Sequence, residues 1–355
     1  MNHLIEADPM SHTTPEHRRD AVREVLETLR GARSVLLTTH LNADGDGTGC
    51  QAALLELLAS MGVEGWIVNP TPFPEQYRFL IGDEQRILPA DSEEAAQRGG
   101  DADLCLVVDT GEVSRIGRVN GLVRGVPRVV IDHHPPGDDA IEGVRLIDPG
   151  AGAAGELVFD LLAEADGPWS RQAVEGLYVA ILTDTGSFRF SNSTPAIHRI
   201  AAELVERGAS PDRLHQRVYG SHHRRRFELL RRCLGTLRTD RGGRLAWMIV
   251  PREDYRELGC TPEDLDGFVD VPREIAGVEV AVLIREMDDE AAKVSFRSNR
   301  VVDVNRLARR FGGGGHVRAA GALVSGTVEE LVERIRREAG RHLEGVPVEE
   351  PGEGK

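Results

Sequence analysis

The stretch Thr38-Thr39-His40-Leu41-Asn42-Ala43-Asp44-Gly45-Asp46-Gly47 decides the fold of this chain. It follows an apolar run at 35–37 and precedes a helix-like segment at 51–58. A histidine and two aspartates therefore follow a predicted strand, where an open α/β sheet places its ligands. We expect the glycines at 45, 47 and 49 to let the backbone turn, so that the two carboxylates converge. A divalent cation would offset their repulsion, and the alternative is a solvated Asp-Gly turn.

Length and composition limit the class of protein. The chain has 355 residues, more than one core usually holds, so we expect two domains. Its hydrophobic content of 40% and mean hydropathy of -0.29 are typical of a globular protein. No apolar run approaches the ~20 residues of a membrane-spanning helix. Residues 1–15 lack the apolar segment of a secretory signal, and the four cysteines are scattered, so we predict a cytoplasmic protein.

The net charge of -15 bears on the partners. An acidic protein binds long duplex nucleic acid poorly, because its surface repels the phosphate backbone. A small anionic substrate remains compatible with this charge if the positive charge is local or is supplied by a metal. We therefore expect neither a membrane nor a long duplex as a partner.

Predicted strands and helices alternate through the first 210 residues. Apolar runs at 66–68, 103–108 and 129–131 predict strands, and the segments 16–30, 153–165, 172–183 and 195–207 predict helices. Continuous apolar strands are typical of a parallel sheet that is covered on both faces. The fold class predicted here is therefore α/β, with a doubly wound, mainly parallel sheet and one polar edge.

The composition changes near residue 210. Ten arginines lie between 213 and 244, and β-rich runs follow at 245–250, 278–284 and 293–296. Helix-like segments at 303–311 and 328–342 complete a smaller α/β domain. We predict a disordered N-terminus (1–15), a catalytic metal-binding domain (16–209), a linker helix (210–235), a second, substrate-binding domain (236–344) and a disordered tail (345–355), with the active-site cleft between the two domains.

Polar residues at the ends of the predicted strands and after 172–183 form one candidate metal site: His40, Asp44, Asp46, Asp109, Asp132, His133, His134 and Asp184. Carboxylates and imidazoles without a thiolate suit manganese, magnesium or cobalt better than structural zinc. A carboxylate shared by two metals holds them ~3.5–4 Å apart. Asp109, after a central strand, is the natural bridge. Taken singly, Asp-Thr-Gly is a common turn and Asp-His-His is more often a surface sequence.

Together these motifs resemble those of the DHH phosphoesterases. The matching elements are His40-x3-Asp44-x-Asp46, Asp109, Asp132-His133-His134 and Asp184. The stretch 182–192 looks like the oligoribonuclease (nanoRNase, NrnA) subgroup, and the glycine-rich 312–316 resembles the C-terminal domain associated with it. The resemblance covers about residues 16–345. It implies a two-metal hydrolase, usually manganese-dependent, that acts on short oligoribonucleotides and on 3′-phosphoadenosine 5′-phosphate (pAp).

The resemblance also implies roles for single residues. One metal would be held by His40, Asp44 and Asp109, and the other by Asp46, Asp109, His133 and Asp184. His134 would face the scissile phosphate, and Asp132 would orient a ligand without itself binding the metal.

A second set of residues is predicted to bind the substrate. The backbone N–H groups of Gly312–Gly315 would form an anion cradle if this loop led into a helix, with His316 at the helix start. Arg297 would clamp the same anion. The alternatives are a flexible hinge and a solvent-facing arginine. With the family resemblance we expect Arg297, Gly313, Gly314, Gly315 and His316 to hold the far phosphate, and Arg189 to contact substrate near the metals.

The resemblance thus implies a manganese-dependent exonuclease of short RNA that also releases AMP and phosphate from pAp, with a homodimer allowed. The nearest rival is a phosphodiesterase for linear or cyclic dinucleotide signals such as pApA and cyclic di-AMP. A long-chain DNA exonuclease would need an additional oligonucleotide-binding domain, for which the length leaves no room. The glycine-rich signature disfavours a pyrophosphatase, and the complete ligand set disfavours a non-catalytic nucleotide sensor.

Overall fold

The computed structural model describes residues 12–137, 139–220, 222–288, 291–315 and 317–344. They divide into two compact units, one up to residue 221 and one from residue 222. Residues 1–11, the tail 345–355 and His316 lie outside the described residues, so the predictions made for them have no structural counterpart here. Within the described ranges, no helix combines the length and the apolar character that crossing a membrane requires.

The first unit contains a five-stranded parallel sheet with the strand order β2-β1-β3-β4-β5. The strands are β1 (Ser34–Thr38), β2 (Glu64–Ile67), β3 (Leu104–Val108), β4 (Arg128–Asp132) and β5 (Val144–Ile147). The helices are α1 (Glu16–Arg30), α2 (Gly45–Ser60), α3 (Glu93–Asp101), α4 (Val119–Leu122), α5 (Ala154–Glu164), α6 (Arg171–Asp184), α7 (Pro195–Glu206) and α8 (Pro211–Tyr219). The predicted α/β class with a parallel sheet is confirmed.

The burial of β3 explains its continuous apolar sequence. Leu104, Leu106 and Val108 point into the larger core of the unit, while Cys105 and Val107 point into a second core on the opposite face of the sheet. A parallel strand covered by helices on both faces has no solvent side, so alternation of polar and apolar residues is lost.

The glycines of the opening motif allow close helix packing. They lie inside α2 and have negative φ angles, so the prediction that they form a sharp turn is wrong. A Cβ atom on Gly49 would lie 2.3 Å from the carbonyl oxygen of Gly176, and one on Gly45 would lie 2.4 Å from the Thr183 side chain. Such distances are far below van der Waals contact. The glycines therefore bring the start of α2 against the end of α6.

The second unit contains a six-stranded mixed sheet with the order β10-β11-β9-β8-β7-β6, in which only β7 and β8 pair in parallel. The strands are β6 (Arg238–Asp240), β7 (Leu245–Val250), β8 (Val280–Asp288), β9 (Ala291–Ser298), β10 (Gly314–Gly315) and β11 (Ala319–Ser325). The helices are α9 (Arg224–Gly235), α10 (Arg252–Glu257), α11 (Asp270–Arg273), α12 (Val304–Arg309) and α13 (Val328–Leu343).

The segment 210–235 differs from its prediction. Instead of one linker helix it contains two, because α8 ends at Tyr219 and α9 begins at Arg224. Gly220 is the C-cap of α8, and the two helices belong to different compact units. Many of the arginines of α9 are paired locally, as Arg232 is with Asp254 and Glu257.

A buried ion cluster fixes α1 to α5. The side chain of Arg18 is 5% exposed and donates to Asp148, Glu156 and Asp160. The Nε2 atom of His12 lies 2.7 Å from Asp160 Oδ1, so the expectation of disorder is wrong for the part of 1–15 that is described. Because Glu156 lies in the first turn of α5, the cluster holds the helix end that faces the candidate site.

Replacing Arg18 by alanine should destabilise the first unit. Three buried or half-buried carboxylates would lose their shared cation, and breaking a buried ion pair from one side costs about 3–5 kcal/mol. We expect urea denaturation to show a loss of that size in the free energy of unfolding. Among the described residues, the exposed neighbour Arg19 donates to the carbonyl oxygen of Thr14 and forms no ion pair, so Arg19→Ala should change stability by no more than ~0.5 kcal/mol. Equal stabilities for the two variants would contradict this assignment.

Candidate metal centre

The candidate site lies at the carboxyl edge of the parallel sheet, where such folds bind ligands. His40 follows β1, Asp109 follows β3, and Asp132 is the last residue of β4, with His133 and His134 directly after it. Adjacent parallel strands end at the same edge, so His40 and Asp109 become neighbours although they are 69 positions apart in sequence. The ends of α2 and α6 supply the remaining acids.

The two carboxylate oxygens of Asp44 have different partners. It is the N-cap of α2, and its Oδ1 atom accepts hydrogen bonds from the N–H groups of Asp46 (3.1 Å) and Gly47 (3.2 Å). Its Oδ2 atom lies 3.7 Å from Nε2 of His40. The helix start therefore orients the carboxylate, and the second oxygen faces the imidazole.

Asp46 lies in the first turn of α2 and is 1% exposed. Its oxygens accept hydrogen bonds from the N–H groups of Ala154 (2.7 Å) and Gly155 (2.9 Å) at the start of α5. A helix N-terminus stabilises such a charge. Burial nevertheless raises the pKa of Asp46 well above its usual range, and the nearby charges of Asp109 and Asp184 add to the effect. A cation next to Asp46 would remove that penalty.

Asp184 is the last residue of α6, in agreement with the helix predicted at 172–183. Asn192 donates from Nδ2 to its Oδ2 atom at 2.9 Å. Burial raises the pKa of Asp184 to about 6, and the charges of Asp109 and Asp44 act in the same direction. The C-terminal end of a helix carries partial negative charge, which also favours a cation at this position.

Asp109 joins the two halves of the site. Its Oδ2 atom lies 3.2 Å from Nε2 of His40, and its Oδ1 atom lies 3.6 Å from Nε2 of His133. The second distance is too long for a hydrogen bond, and both atoms are buried without a hydrogen-bond partner among the described residues. A metal ion between them would satisfy both. Asp109 also has a φ of 62°, a strained backbone conformation of the kind that clusters at functional sites.

The hydrogen bonds of both imidazoles fix which nitrogen faces the acids. Nδ1 of His40 lies 2.8 Å from the carbonyl oxygen of Leu41, and Nδ1 of His133 lies 3.3 Å from that of Ala151. A carbonyl oxygen only accepts, so Nδ1 carries the hydrogen and Nε2 faces the carboxylates. Burial by itself lowers the pKa of each ring, but the surrounding aspartates raise it to about 11 for His40 and about 10 for His133.

His134 is held by Asp132. The Oδ1 atom of Asp132 lies 2.7 Å from Nδ1 of His134 and also accepts a hydrogen bond from its backbone N–H at 3.1 Å. The same Nδ1 atom lies 3.7 Å from Oδ1 of Asp109. These bonds fix the ring orientation and direct Nδ1 toward Asp132.

The side chains form three groups, and within each group the ligand atoms lie within 4.8 Å of one another. The groups are His40 with Asp44 and Asp109, Asp46 with His133 and Asp184, and Asp109 with His133 and His134. Every residue predicted as a metal ligand belongs to one of these groups. Asp109 occurs in two of them. The donor set contains only carboxylate oxygens and imidazole nitrogens, a combination that binds divalent cations of the manganese, magnesium and cobalt type.

The segment after α6 forms an unusual turn. Gly186, Ser187 and Phe188 have φ angles of 56°, 59° and 63°, which makes three successive left-handed residues. Such a run is costly for residues with a side chain. Arg189, predicted to contact substrate, is exposed next to this turn and donates from Nε to the carbonyl oxygen of Gly186 at 2.8 Å.

Tyr219, at the end of α8, is a residue that the sequence analysis missed. Its hydroxyl is hydrogen-bonded to the side chain of Ser187. Burial raises the pKa of Tyr219, and the charges of Asp44 and Asp184 add to this shift. The residue therefore lies at the rim of the site. No local pattern marks it, because a tyrosine at the end of an amphipathic helix is ordinary.

The glycine-rich loop differs from the predicted anion cradle. Gly314 and Gly315 form β10, and the next element in the described residues is the strand β11, with which β10 pairs, rather than a helix. The N–H of Gly313 donates to the carbonyl oxygen of Ala308 at the end of α12. A Cβ atom on Gly313 would lie 2.0 Å from the carbonyl oxygen of Gly321. Gly313 therefore serves helix termination and close strand packing.

Arg297, the other predicted phosphate ligand, lies on β9 and is half-buried. It donates from Nη1 to the carbonyl oxygen of Phe296 at 3.0 Å. Burial lowers the pKa of Arg297, which nevertheless stays charged at neutral pH. Its guanidinium is thus a partly desolvated cation on the surface of the second unit.

The fold and site together define an α/β protein whose sheet edge carries acids and imidazoles that could hold metal ions, and similarities to known proteins identify it further. Residues 34–181 match the DHH family, N-terminal domain, and residues 246–343 match the DHHA1 domain. The chain belongs to the DHH family, as its motifs indicated. It is 33% identical over 330 residues to the bifunctional oligoribonuclease and PAP phosphatase NrnA of Thermus thermophilus, an alignment that covers 90% of this chain and 94% of the relative.

Two solved structures show a similar fold. An exopolyphosphatase-related protein from Bacteroides fragilis has a TM-score of 0.84 and 26% identity, covering 91% of this chain and 96% of that one. RecJ from Thermus thermophilus, solved in complex with Mn²⁺, has a TM-score of 0.53 and 17% identity, covering 96% of this chain and 56% of that one. The second likeness concerns the fold alone.

Metal binding should release protons. With pKa values of about 11 and 10, His40 and His133 are protonated in the metal-free protein at pH 8, whereas a metal needs the Nε2 lone pair of each. We expect manganese binding at pH 8 to release about one proton from each imidazole, besides any that the buried Asp46 holds, and affinity to rise with pH. Calorimetric titrations in HEPES and Tris, which differ in ionisation enthalpy, measure this number. His40→Gln should release one proton fewer, and a binding heat independent of buffer would contradict the assignment.

Proposed function

We propose that this protein is a metal-dependent phosphoesterase that hydrolyses short oligoribonucleotides to nucleoside 5′-monophosphates and converts pAp to AMP. The observation that carries the proposal is the position of Asp109, whose two oxygens face different imidazoles within two groups of ligand atoms. Its similarity to a bifunctional oligoribonuclease and PAP phosphatase over most of both chains supports the choice of substrates.

We assign the ligands to two cations that share Asp109. His40 and Asp44 would complete one site, and Asp46, His133 and Asp184 would complete the other. Manganese is the proposed metal, with magnesium and cobalt as alternatives, because the donors are oxygens and imidazoles. When bound, such ions supply an acidified water and offset the charge of the phosphate. A cytoplasmic location and a homodimer stay predictions.

One bond type accounts for both substrates. Release of a nucleoside 5′-monophosphate from RNA breaks the bond between phosphorus and the 3′ oxygen, and so does removal of the 3′ phosphate from pAp. In each case a water oxygen joins phosphorus, and the 3′ oxygen leaves with a proton. A single site that recognises a 3′ phosphoryl group therefore serves both reactions.

The side chains around the metal ligands would bind the phosphoryl group. His134, held through Nδ1 by Asp132, would donate from Nε2 to a non-bridging oxygen as negative charge increases there. The exposed Arg189 would bind the phosphate or its neighbour. In the second unit, Arg297 would hold a further anionic group of the substrate, and Gly314 and Gly315 remain candidates for that task.

The substrate assignment is tested with purified protein and manganese. We expect hydrolysis of a diribonucleotide and of pAp, with cyclic di-AMP and pApA as competing substrates in the same panel. Asp109→Asn keeps the shape of the side chain but removes its charge, and should lower kcat by ~10³-fold or more in both reactions. Wild-type protein that leaves RNA and pAp intact would refute the proposal, and faster cleavage of cyclic di-AMP would favour the rival signalling function.

Asp132→Asn separates orientation from metal binding. The asparagine can still accept a hydrogen bond from His134, but it removes the negative charge that stabilises the donating ring. Loss of such a supporting partner lowers activity by about 10–100-fold. We expect that loss in kcat, with manganese affinity in calorimetry within about threefold of wild type. A loss of metal binding that matches the loss of activity would show instead that Asp132 acts as a ligand.

A further inference from the structure

The backbone of segment 151–155, which runs into the first turn of α5, contacts two of the candidate metal ligands. All five of its residues are buried. The carbonyl oxygen of Ala151 lies 3.3 Å from Nδ1 of His133. The N–H groups of the last two residues donate to Asp46 at 2.7 and 2.9 Å. One short segment therefore orients two members of the group that Asp184 completes.

Asn192 connects the third member of this group to the same segment. Its Nδ2 atom donates to Oδ2 of Asp184 at 2.9 Å, to the carbonyl oxygen of Asp184 at 3.1 Å and to that of Gly152 at 2.8 Å. Carboxylate and carbonyl oxygens only accept hydrogen bonds, so the amide has one possible orientation. Asn192 therefore bridges the end of α6 and the segment 151–155.

The segment 151–155 is itself held from its other side. A Cβ atom on Gly152 would lie 2.5 Å from the carbonyl oxygen of Asn192, so glycine is needed for this close approach. The N–H of Gly152 donates to Glu156 at 2.9 Å, and Glu156 accepts from Arg18. Asn192 thus ties Asp184 to a part of the fold that a buried ion cluster already fixes.

The ligands of the other group are oriented by a different part of the chain. Nδ1 of His40 lies 2.8 Å from the carbonyl oxygen of Leu41. Asp44 accepts from the N–H groups of residues 46 and 47 at the start of α2. These bonds lie within the motif that carries both ligands, so loss of Asn192 should leave them in place.

We propose that Asn192 is a positioning residue that holds Asp184 to the segment 151–155, so that Asp184 keeps its place beside Asp46 and His133. This inference rests on the proposed function, which assigns these three ligands to one of two cations. An ion that meets an oriented carboxylate does not have to order it, and loss of such a supporting partner weakens metal binding by about 10–100-fold. Asn192 would therefore strengthen the binding of one cation and leave the other unaffected.

The test measures manganese binding by calorimetry in two backgrounds that each retain one site. Asp44→Asn keeps an N-cap residue and impairs the site of His40, whereas His133→Gln impairs the site of Asp184. Asn192→Leu has nearly the shape of asparagine but donates no hydrogen bond. We expect it to weaken manganese binding by about 10–100-fold in the Asp44→Asn background and by less than about threefold in the His133→Gln background.

Ser193→Ala is the matched control. Ser193 is the next residue, and its Oγ atom lies 3.1 Å from Nε2 of His198 rather than near a ligand. This variant should leave manganese affinity unchanged in both backgrounds. Asn192→Gln keeps the amide on a longer side chain and should recover part of the affinity that Asn192→Leu loses. If Asn192→Leu lowers the Tm of the metal-free protein, the smaller and polar Asn192→Ser is judged by the same criterion.

The outcomes separate this inference from the proposed function. Unchanged manganese affinity of Asn192→Leu in the Asp44→Asn background overturns the positioning role, and so does an equal loss in both backgrounds. If wild-type protein hydrolyses neither RNA nor pAp, the proposed function fails. The manganese titrations need no substrate, so they still decide the role of Asn192. Wild-type protein that binds no manganese would refute both.

Discussion

The confinement of four carboxylates at one sheet edge is the constraint on which the rest of the site depends. Asp46 and Asp109 are almost fully buried, and Asp44 and Asp184 lie beside them. Among the described residues of the site, the imidazoles of His40 and His133 oppose this charge, which is why their pKa values rise so far. Electrostatics of this kind is tolerable only where counter-charge is supplied, and divalent cations supply it most compactly.

The surrounding fold reduces the penalty that remains. The start of α5 directs two N–H groups at Asp46, and the Arg18 cluster holds that helix end in place. The start of α2 orients Asp44 in the same manner. Glycine contacts between α2 and α6 bring the acids of both helices to one point. Helix packing, helix capping and the Arg18 ion cluster therefore all help to hold these acids at the sheet edge.

The sequence predicted what depends on local pattern. Apolar runs followed by acids or histidines identified the parallel sheet, its polar edge and the residues that the structure brings together there. The helical pattern at 172–183 also placed Asp184 at the end of a helix, and Asp184 is the last residue of α6. The glycines of α2 were misinterpreted because a glycine needed for helix contact looks the same as one needed for a turn.

Features that depend on long-range contacts were not accessible from the pattern. Tyr219 reaches the site from a separate helix, and the loop before β11 is shaped by its strand partner. In the second unit, Arg285 and Lys293 lie opposite each other, a like-charge pair that appears only when the register of β8 and β9 is known. Short, alternating runs predict a strand but do not specify which residues of two strands lie opposite each other.

Anomalous diffraction at the manganese edge, from crystals grown in manganese, tests the central claim most directly. The account predicts two peaks that flank Asp109, ~3.5–4 Å apart, with His40 and Asp44 on one ion and Asp46, His133 and Asp184 on the other. A single peak that leaves Asp46 and His133 without an ion, or a map without peaks at Asp109, would contradict it.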